Sequence, residues 1–292
     1  MDLFFPGLNV ENTIKEKIGK SEILYFPTYR RVEEDLHNLG YEEDEFLEQD
    51  NTLIQFGMVD VQRRFTELER TIDNLLKNGI ATFTKDLLKI ITSNNARVDA
   101  KIFDKINDAD LDIIFSRVGS GLDEQTKNAV KEAVKSKKDD ASGLLLQKLV
   151  ELYDEQKPLD KLIKTFRDVC NKYLINKEVF YDESAIKIYI KSKITKKPID
   201  LKNLSSGEKQ IISIFEKIYL SQEEKKFIVL FDEPELSLSI NWQKQLLPDI
   251  VNSNKCDFLL AVTHSPFVFD NELDQYAVGL NEYFSLSKYI AK

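Results

Sequence analysis

Two adjacent carboxylates, Asp232 and Glu233, follow the short apolar run Phe227–Phe231. An enzyme that hydrolyses a nucleotide needs one acid to hold Mg²⁺ and a second acid to polarise the attacking water. Adjacent residues at a strand end point in different directions, so Asp232 can serve the metal while Glu233 serves the water. An ordinary strand that ends in acidic residues would give the same pattern, and these residues alone leave both interpretations open.

A histidine follows the next apolar run along the chain. Phe258–Val262 leads into Thr263 and His264. The imidazole of His264 can donate a hydrogen bond to a terminal phosphate, although a single histidine is more often structural. The chain has one other histidine, His37, for which the sequence suggests no role.

A third segment, Leu204–Gln210 with the sequence LSSGEKQ, comes before an amphipathic pattern. Ser205 and Glu208 have the spacing of a capping box, which predicts that a helix begins here. The same helix start offers unpaired backbone N–H groups, and Gly207 leaves room for close approach, so the segment also suits a phosphate. The residues predicted to form the buried face of this helix are Ile211, Ile212, Phe215 and Ile218.

Strands must position these groups. The runs Phe227–Phe231 and Phe258–Val262 do not alternate between apolar and polar residues, which predicts strands buried on both faces, as in a parallel sheet covered by helices. A shorter run, Ile23–Phe26, stops at Pro27 and predicts one more strand. Ligands of such sheets bind beyond the carboxyl ends of the strands. We therefore predict an α/β fold with parallel-sheet strands and with its chemistry just after the two longer runs.

Residues 51–174 have the pattern of long amphipathic helices. One helical face is indicated by residues that recur every three or four positions, namely Val61, Phe65, Leu68, Ile72 and Leu75. This spacing suits a coiled-coil-like hairpin but is too short to establish one. Further helices are predicted around residues 99–117, 123–138 and 142–174, the last of them interrupted near Pro158.

Alternation returns after residue 175. Val179–Tyr181 and Ile186–Ile190 flank Asp182–Ser184, which predicts an antiparallel hairpin. We therefore assign residues 1–50 and 175–292 to an α/β lobe and residues 51–174 to a helical insertion.

The composition narrows the class of protein. A net charge of −9 over 292 residues argues against a protein that wraps nucleic acid. No apolar run is long enough to span a membrane, and the first residues lack the features of a secretory signal, so we expect a cytoplasmic protein. Cys170 and Cys256 lie in apolar contexts without ligand spacing, which predicts buried, reduced thiols. Local basic tracks, for which solvated surface is the simpler interpretation, are limited to Lys191, Lys193, Lys196, Lys197, Arg30–Arg31 and Arg63–Arg64.

The order and spacing of the three segments resemble those of the ABC-type ATPases, in the RecF-like and SMC-like branch of the AAA family. LSSGEKQ resembles the signature loop, the run that ends in Asp232 and Glu233 resembles the Walker B motif, and His264 resembles the switch histidine. Leu236–Ser239 occupies the position of the D-loop. The resemblance implies an ABC-type ATPase head lobe with a helical insertion.

The same resemblance implies that ATP and Mg²⁺ bind between two paired heads. Asp232 would hold Mg²⁺, Glu233 would act as the general base, and His264 would donate to the γ-phosphate. The signature-loop residues that would contact the nucleotide held by the opposing head are Ser205, Ser206, Gly207 and Glu208.

A narrower resemblance covers nearly all of the chain. The segments FPTYRR from Phe26, CNKYL from Cys170 and THSPFVFDN from Thr263 are similar to the ATPase subunits of Septu and retron-associated antiphage systems. This resemblance implies an ATPase that controls an associated effector, such as a nuclease, in bacterial antiphage defence. The alternative is a non-hydrolytic scaffold whose helical arm binds a partner protein or DNA.

One motif of these ATPases is missing from the sequence. The phosphate-binding loop has the pattern G-x-x-x-x-G-K-S/T between a strand and a helix. Gly19-Lys20-Ser21 has Ile14 where the first glycine belongs, and the strand-like run Ile23–Phe26 follows it. We therefore expect the Walker A lobe on another chain or on an upstream segment, or to have been lost, and we expect the chain alone to be a poor ATPase.

Overall fold

The computed structural model of the chain describes residues 21–27, 57–92, 98–118, 122–136, 141–222 and 224–280. The helices are α1 (Met58–Thr92), α2 (Asp108–Val118), α3 (Glu124–Lys135), α4 (Ala141–Asp154), α5 (Lys157–Tyr173), α6 (Ser206–Tyr219) and α7 (Ile240–Val251). The strands are β1 (Glu22–Phe26), β2 (Lys177–Asp182), β3 (Lys187–Ser192), β4 (Pro198–Ile199), β5 (Phe227–Asp232) and β6 (Cys256–Val262).

The chain divides into two compact units at Met58/Val59 and at Asn203/Leu204. The sheet unit contains the described residues 21–27 and 204–280, and the helical unit contains those between 59 and 203. Residues 175–203, which the sequence pattern placed with the α/β lobe, belong to the helical unit. A reason is visible at Asn171 of α5, whose side-chain amide donates to the Val179 carbonyl (3.0 Å) and accepts from the Val179 N–H (2.8 Å). The side chain thereby attaches β2 to the helix.

The sheet unit contains a parallel sheet with the strand order β1-β5-β6. The strands form where the apolar runs predicted them, and the mixed α/β class is confirmed. Val229 pairs with Leu24 on one side and with Leu259 on the other, and at the far end Asp232 pairs with Val262. The carboxyl ends of β5 and β6 therefore lie side by side.

The two faces of this sheet differ. On the inner face Phe26, Val229 and Phe231 are buried, and the rings of Phe26 and Phe231 stack with centroids 4.9 Å apart. The outer face carries large apolar side chains that remain exposed, namely Ile23 (65%), Tyr25 (48%), Phe258 (56%), Leu260 (52%) and Val262 (56%). Burial on both faces is thus confirmed for β5 but is wrong for β6. The reason is position, because among the described strands β5 is central and β6 is at the edge.

The start of α6 packs against the segment that follows β5. A Cβ atom added at Gly207 would lie 2.4 Å from the Ser237 carbonyl oxygen and 3.3 Å from the ring carbon Cζ3 of Trp242. Only glycine permits this approach, since real Cβ atoms essentially never come so close to a backbone oxygen. The predicted buried face of the helix is confirmed, because Ile211, Ile212, Phe215 and Ile218 are each fully buried.

The helical unit is built on α1, which is 35 residues long and therefore about 50 Å in length. Along α1, Phe65 meets Phe166 of α5 (ring centroids 5.7 Å apart), Gly79 lies against Leu152 of α4, and Asp86 is 3.8 Å from Lys148 of α4. The order of these contacts shows that α1 runs antiparallel to the α4–α5 segment. The predicted face of α1 is confirmed, with four of its five members buried and Leu75 half-buried. The predicted break falls between α4 and α5, and Pro158 lies in the first turn of α5, where proline is tolerated.

A buried polar network lies inside the helical unit. The Arg117 guanidinium donates to Asp160 Oδ1 (2.8 Å), to Gln156 Oε1 (2.7 Å) and to the Glu183 carbonyl (2.8 Å). The Tyr181 hydroxyl also donates to Asp160 Oδ1. Burial by itself lowers the pKa of Arg117, but the hydrogen bond and charge of Asp160 outweigh it and raise that pKa above its ordinary value. The network connects α2, the α4–α5 junction, α5 and the β2–β3 hairpin.

Two further expectations were that the cysteines are buried, reduced thiols and that no segment spans a membrane. Cys170 is buried, as expected, and burial raises the pKa of its thiol well above the ordinary value. Cys256 is only half-buried, and both thiols are free. No helix in the described part of the chain contains a stretch long and apolar enough to cross a membrane.

We predict that Arg117→Met lowers the free energy of unfolding by about 3–5 kcal/mol, because it leaves the carboxylate of Asp160 buried without its cation. Arg63→Met is the matched control: Arg63 makes an exposed ion pair with Asp60 on α1, and its loss should cost about 0–1 kcal/mol. Urea unfolding followed by circular dichroism measures both. Equal losses in the two variants would contradict a structural role for the buried network.

We predict that Gly207→Ala displaces the backbone around Ser237 and costs about 1–3 kcal/mol, as overpacking does. Gly79→Ala is the matched control, since its Cβ would meet only the flexible end of Leu152 and alanine favours a helix interior. Trp242 is the only tryptophan, so its fluorescence reports the displacement directly. The emission should change in Gly207→Ala and not in Gly79→Ala, and an unchanged spectrum in both would refute the close contact.

Candidate functional site

The carboxyl ends of β5 and β6 form the candidate site. Asp232, the last residue of β5, pairs with Val262, the last residue of β6. The Glu233 N–H continues the pairing and donates to the Val262 carbonyl (2.8 Å). Asp232, Glu233 and His264 are thus all within two residues of one interstrand pair. The structure brings these three residues together, at the end of the sheet where parallel folds bind ligands.

Glu233 has an unusual backbone conformation. Its φ is 49°, in the left-handed region, which costs about 1–2 kcal/mol for a residue other than glycine. The side chain is half-buried, and its carboxylate makes no hydrogen bond or ion pair within the described part of the chain. Such strain is concentrated at functional sites in proteins. The geometry is therefore consistent with a carboxylate held ready for a ligand or a water.

Asp232 is the candidate for holding Mg²⁺. It is half-buried at the end of the strand. Within the described residues no group of three or more His, Cys, Asp or Glu side chains is arranged to hold a metal ion. Magnesium does not require such a group, because it keeps several waters and binds through one or two carboxylates plus the phosphates of a substrate. A single carboxylate at this position fits that mode of binding.

His264 is anchored through its backbone rather than through its ring. The residue is exposed, and its N–H donates to Glu235 Oε1 (2.8 Å). The imidazole has no hydrogen-bond partner among the described residues, so both of its nitrogens are available to a ligand.

Two residues of the site were not singled out from the sequence. Glu235 accepts the His264 N–H with one oxygen and the Thr263 hydroxyl with the other (2.6 Å). Gln243 of α7 accepts the Ser265 hydroxyl (2.7 Å) and donates to the Leu238 carbonyl (2.9 Å). The only signal for Glu235 in the sequence is a third acid directly after Asp232-Glu233-Pro234, and nothing local indicates Gln243.

The start of α6 contains the predicted capping box. Ser205 Oγ accepts from the Glu208 N–H (3.4 Å), and Glu208 Oε2 accepts from the Ser205 N–H (2.8 Å) and from its hydroxyl (3.0 Å). The Glu208 carboxylate is therefore used within the cap. Ser206 is exposed, and its hydroxyl has no partner in the described residues. The cap and a phosphate site are compatible, because the cap occupies Ser205 and Glu208 and leaves Ser206 available; the anion site remains a prediction.

The basic residues considered for nucleic acid are largely engaged within the chain. Lys191 lies 3.0 Å above the ring of Phe180, and its ammonium is 3.6 Å from Glu178. Lys193 donates to the Leu174 carbonyl (2.7 Å). Both arginines of the pair Arg63–Arg64 form ion pairs on α1. Arg30–Arg31 lies outside the described residues. These contacts favour ordinary surface over a basic track at the described positions.

Comparison with a solved structure gives a distant similarity. It is the crystal structure of the Smc head domain with an extended coiled coil, bound to the C-terminal domain of ScpA, derived from Pyrococcus furiosus. The identity is 14%, the TM-score is 0.34, and the match covers 80% of this chain and 63% of the Smc chain. The chain therefore spans less than two thirds of that protein.

Comparison of the sequence with protein families identifies the family of the chain. No curated protein matches the chain. A family model described as AAA ATPase domain matches residues 10–269, which include β1, the helical unit, the acid pair and the histidine. With most of its length matched by that one model, the chain belongs to the AAA ATPase domain family.

Proposed function

We propose that this chain supplies the hydrolytic half of an ATP site, with Asp232 at the metal, Glu233 at the attacking water and His264 at the γ-phosphate. The observation that supports the proposal most strongly is the connection between the ends of β5 and β6. The hydrogen bond from Glu233 to Val262 and the bridge from Glu235 to His264 hold an acid pair and the imidazole of His264 at one edge of a parallel sheet.

Each residue then has one task. Asp232 would bind Mg²⁺, which neutralises charge on the phosphates when it is present. The half-buried carboxylate of Glu233 accepts a hydrogen bond from a water and orients it for attack. The imidazole of His264 donates to an oxygen of the γ-phosphate, where negative charge grows during transfer. This division of work consists of positioning and charge stabilisation, which account for most of the catalysis of phosphoryl transfer.

The phosphates need a cradle that we do not find at this edge. No G-x-x-x-x-G-K-S/T pattern occurs in the 292 residues. Ser21, from the Gly-Lys-Ser triplet, comes directly before β1, and its hydroxyl donates to Asp257 near the start of β6 (2.6 Å). It therefore lies at the amino end of the sheet, whereas Asp232 and His264 lie at the carboxyl end. This location supports our interpretation that the triplet does not serve the site.

We propose that a separate strand–loop–helix element supplies the cradle and covers the outer face of the sheet. Phe258, Leu260 and Val262 are each more than half exposed, and apolar patches of this kind mark interaction sites. Among the described strands β6 pairs only with β5, so its other edge can accept a parallel strand. Such a strand would end beside His264, which is where a phosphate-binding loop would have to be.

The wider biological role rests on resemblance. The similarity to the antiphage ATPases supports a model in which paired heads bind ATP and control an effector such as a nuclease in the bacterial cytoplasm. The exposed Ser206 at the start of α6 would then contact the nucleotide of the opposing head. The non-hydrolytic scaffold, with a helical arm for protein or DNA, is the outcome that remains if hydrolysis fails the first test below.

We predict that Glu233→Gln reduces ATP hydrolysis by about 10²–10⁴-fold, because it removes the group that orients and deprotonates water, while bound ATP is retained. The sample is the chain tagged in its source cells and purified natively with the proteins that copurify, and the measurement is phosphate release. Glu272→Gln, at an exposed position after the histidine loop, is the matched control. A Glu233→Gln rate equal to that of the unmodified sample would refute the assignment.

We predict that Leu260→Lys reduces the same hydrolysis by at least tenfold, because a buried lysine would prevent the outer face from being covered. The isolated chain should keep its thermal stability, since Leu260 is 52% exposed. Val251→Lys is the matched control. Val251 is an exposed apolar residue at the end of α7, and β6, the strand that follows it, begins at the end of the sheet opposite to the candidate site. Unchanged hydrolysis in Leu260→Lys would show that the outer face is not the surface that the cradle covers.

A further inference from the structure

We propose that Glu235 is a positioning residue that fixes His264 relative to the acid pair. This inference rests on the proposed function for its catalytic consequence, but its structural half can be tested without ATP. The hydrogen bonds of Glu235 go to Leu238, Gln243, Thr263 and His264, and none of them involves Asp232 or Glu233. Glu235 would act through the backbone of the histidine.

The carboxylate of Glu235 uses both of its oxygens on consecutive residues. Oε1 accepts the His264 N–H at 2.8 Å, and Oε2 accepts the Thr263 hydroxyl at 2.6 Å. Hydrogen bonds to an ionised carboxylate are roughly twice as strong as neutral ones. One bond therefore fixes the backbone at His264, and the other fixes the side chain of Thr263 directly before it.

Glu235 is itself held in place. Its carbonyl accepts the Leu238 N–H (3.1 Å) and the side-chain amide of Gln243 (3.4 Å). On the other side, Thr263 Oγ1 accepts the Ser265 N–H (3.0 Å), so the histidine segment has a turn of its own. The carboxylate is thus a bridge between two locally ordered segments, one after β5 and one after β6.

Gln243 makes a second connection between the segment after β5 and the histidine segment. Gln243 accepts the Ser265 hydroxyl (2.7 Å) while it donates to the Leu238 carbonyl (2.9 Å). The histidine segment is therefore held on both sides of His264, by Glu235 before it and by Gln243 after it. Neither anchor uses the imidazole, because both bind backbone or neighbouring side-chain groups, and no other described residue hydrogen-bonds to the ring.

The consequence is geometric. Because the backbone of His264 is fixed, its ring can reach a phosphate without a rearrangement of the loop. Misplacement of a catalytic group by about 1 Å can cost on the order of 10²-fold in rate. Loss of Glu235 should therefore lower kcat while leaving KM nearly unchanged, because the cradle proposed to bind most of the ATP phosphates lies on a separate element.

Two other roles for Glu235 make different predictions. As a metal ligand or a second base it would need its charge, and glutamine would be as damaging as alanine. As a positioning residue, Glu235 needs a side chain of the same length and shape with polar atoms that can hydrogen-bond to Thr263 and His264, and it does not need a charge. Glutamine keeps one oxygen that can accept the His264 N–H. Its NH₂ group can donate to the Thr263 hydroxyl oxygen, because the hydroxyl can rotate so that its proton points elsewhere. Glu235→Gln should therefore retain much of what Glu235→Ala loses.

The structural half is tested by NMR on the whole chain labelled with ¹⁵N-histidine. The chain has two histidines, so the amide spectrum contains two signals, and His37→Gln identifies that of His264. We expect Glu235→Ala to move the His264 amide proton upfield and to raise its hydrogen-exchange rate by at least tenfold. Glu235→Gln should give an intermediate shift, and Glu272→Ala should leave the signal in place. An unmoved signal in Glu235→Ala overturns the proposal, and circular dichroism confirms that each variant is folded.

The functional half uses the natively purified assembly described above. We expect kcat to fall about 10–100-fold in Glu235→Ala, with recovery of most of the activity in Glu235→Gln and little change in KM. Equal losses in the two variants would overturn positioning in favour of a role for the charge, and an unchanged kcat in Glu235→Ala would overturn it outright. If Glu233→Gln also leaves hydrolysis unchanged, the proposed function fails, and the amide signal alone then decides whether Glu235 positions His264.

Discussion

The site depends on the parallel pairing of β5 with β6. This pairing brings Asp232 beside Val262 and allows the Glu233 N–H to donate to the Val262 carbonyl, so that residues about 30 positions apart in the chain share one edge. The inner face secures the arrangement, because Val229 and Phe231 of the central strand are buried and Phe231 stacks on Phe26 of β1. The backbone pairing and the core therefore determine where Asp232, Glu233 and His264 lie.

Beyond the strand ends the sheet unit relies on a few close contacts between loops. Gly207 at the start of α6 approaches the Ser237 carbonyl as only glycine can, and Glu235 connects the same segment to His264. The loop after β5 thus touches both the capped helix start and the histidine. Glu233 and Ser237, with φ of 49° and 63°, are left-handed, and such strain persists only where surrounding contacts over-determine the backbone. A change at any of these contacts would therefore affect the others.

The helical unit is stabilised in a different way. Its long helix packs antiparallel to the α4–α5 segment through apolar contacts. Arg117 and Asp160 form a buried ion pair, and the hydrogen bonds of Arg117 extend it to the α4–α5 junction and the β2–β3 hairpin. A buried ion pair adds little net stability over apolar residues of the same size, but the loss of one partner is costly. We interpret the network as a constraint on the arrangement of these elements rather than as a source of stability.

Features that depend on near neighbours could be predicted from the amino-acid sequence: the strands that lead to the acid pair and the histidine, the apolar face of α1, and the capping box of Ser205 and Glu208. These follow from periodicity and from hydrogen bonds across three residues. Three features could be recognised only in the folded chain: β6 exposes its outer side chains, the 175–203 hairpin belongs with the helices, and Glu235 holds His264, a contact between residues 29 positions apart. Such contacts have no local pattern, because they depend on which elements the fold places side by side.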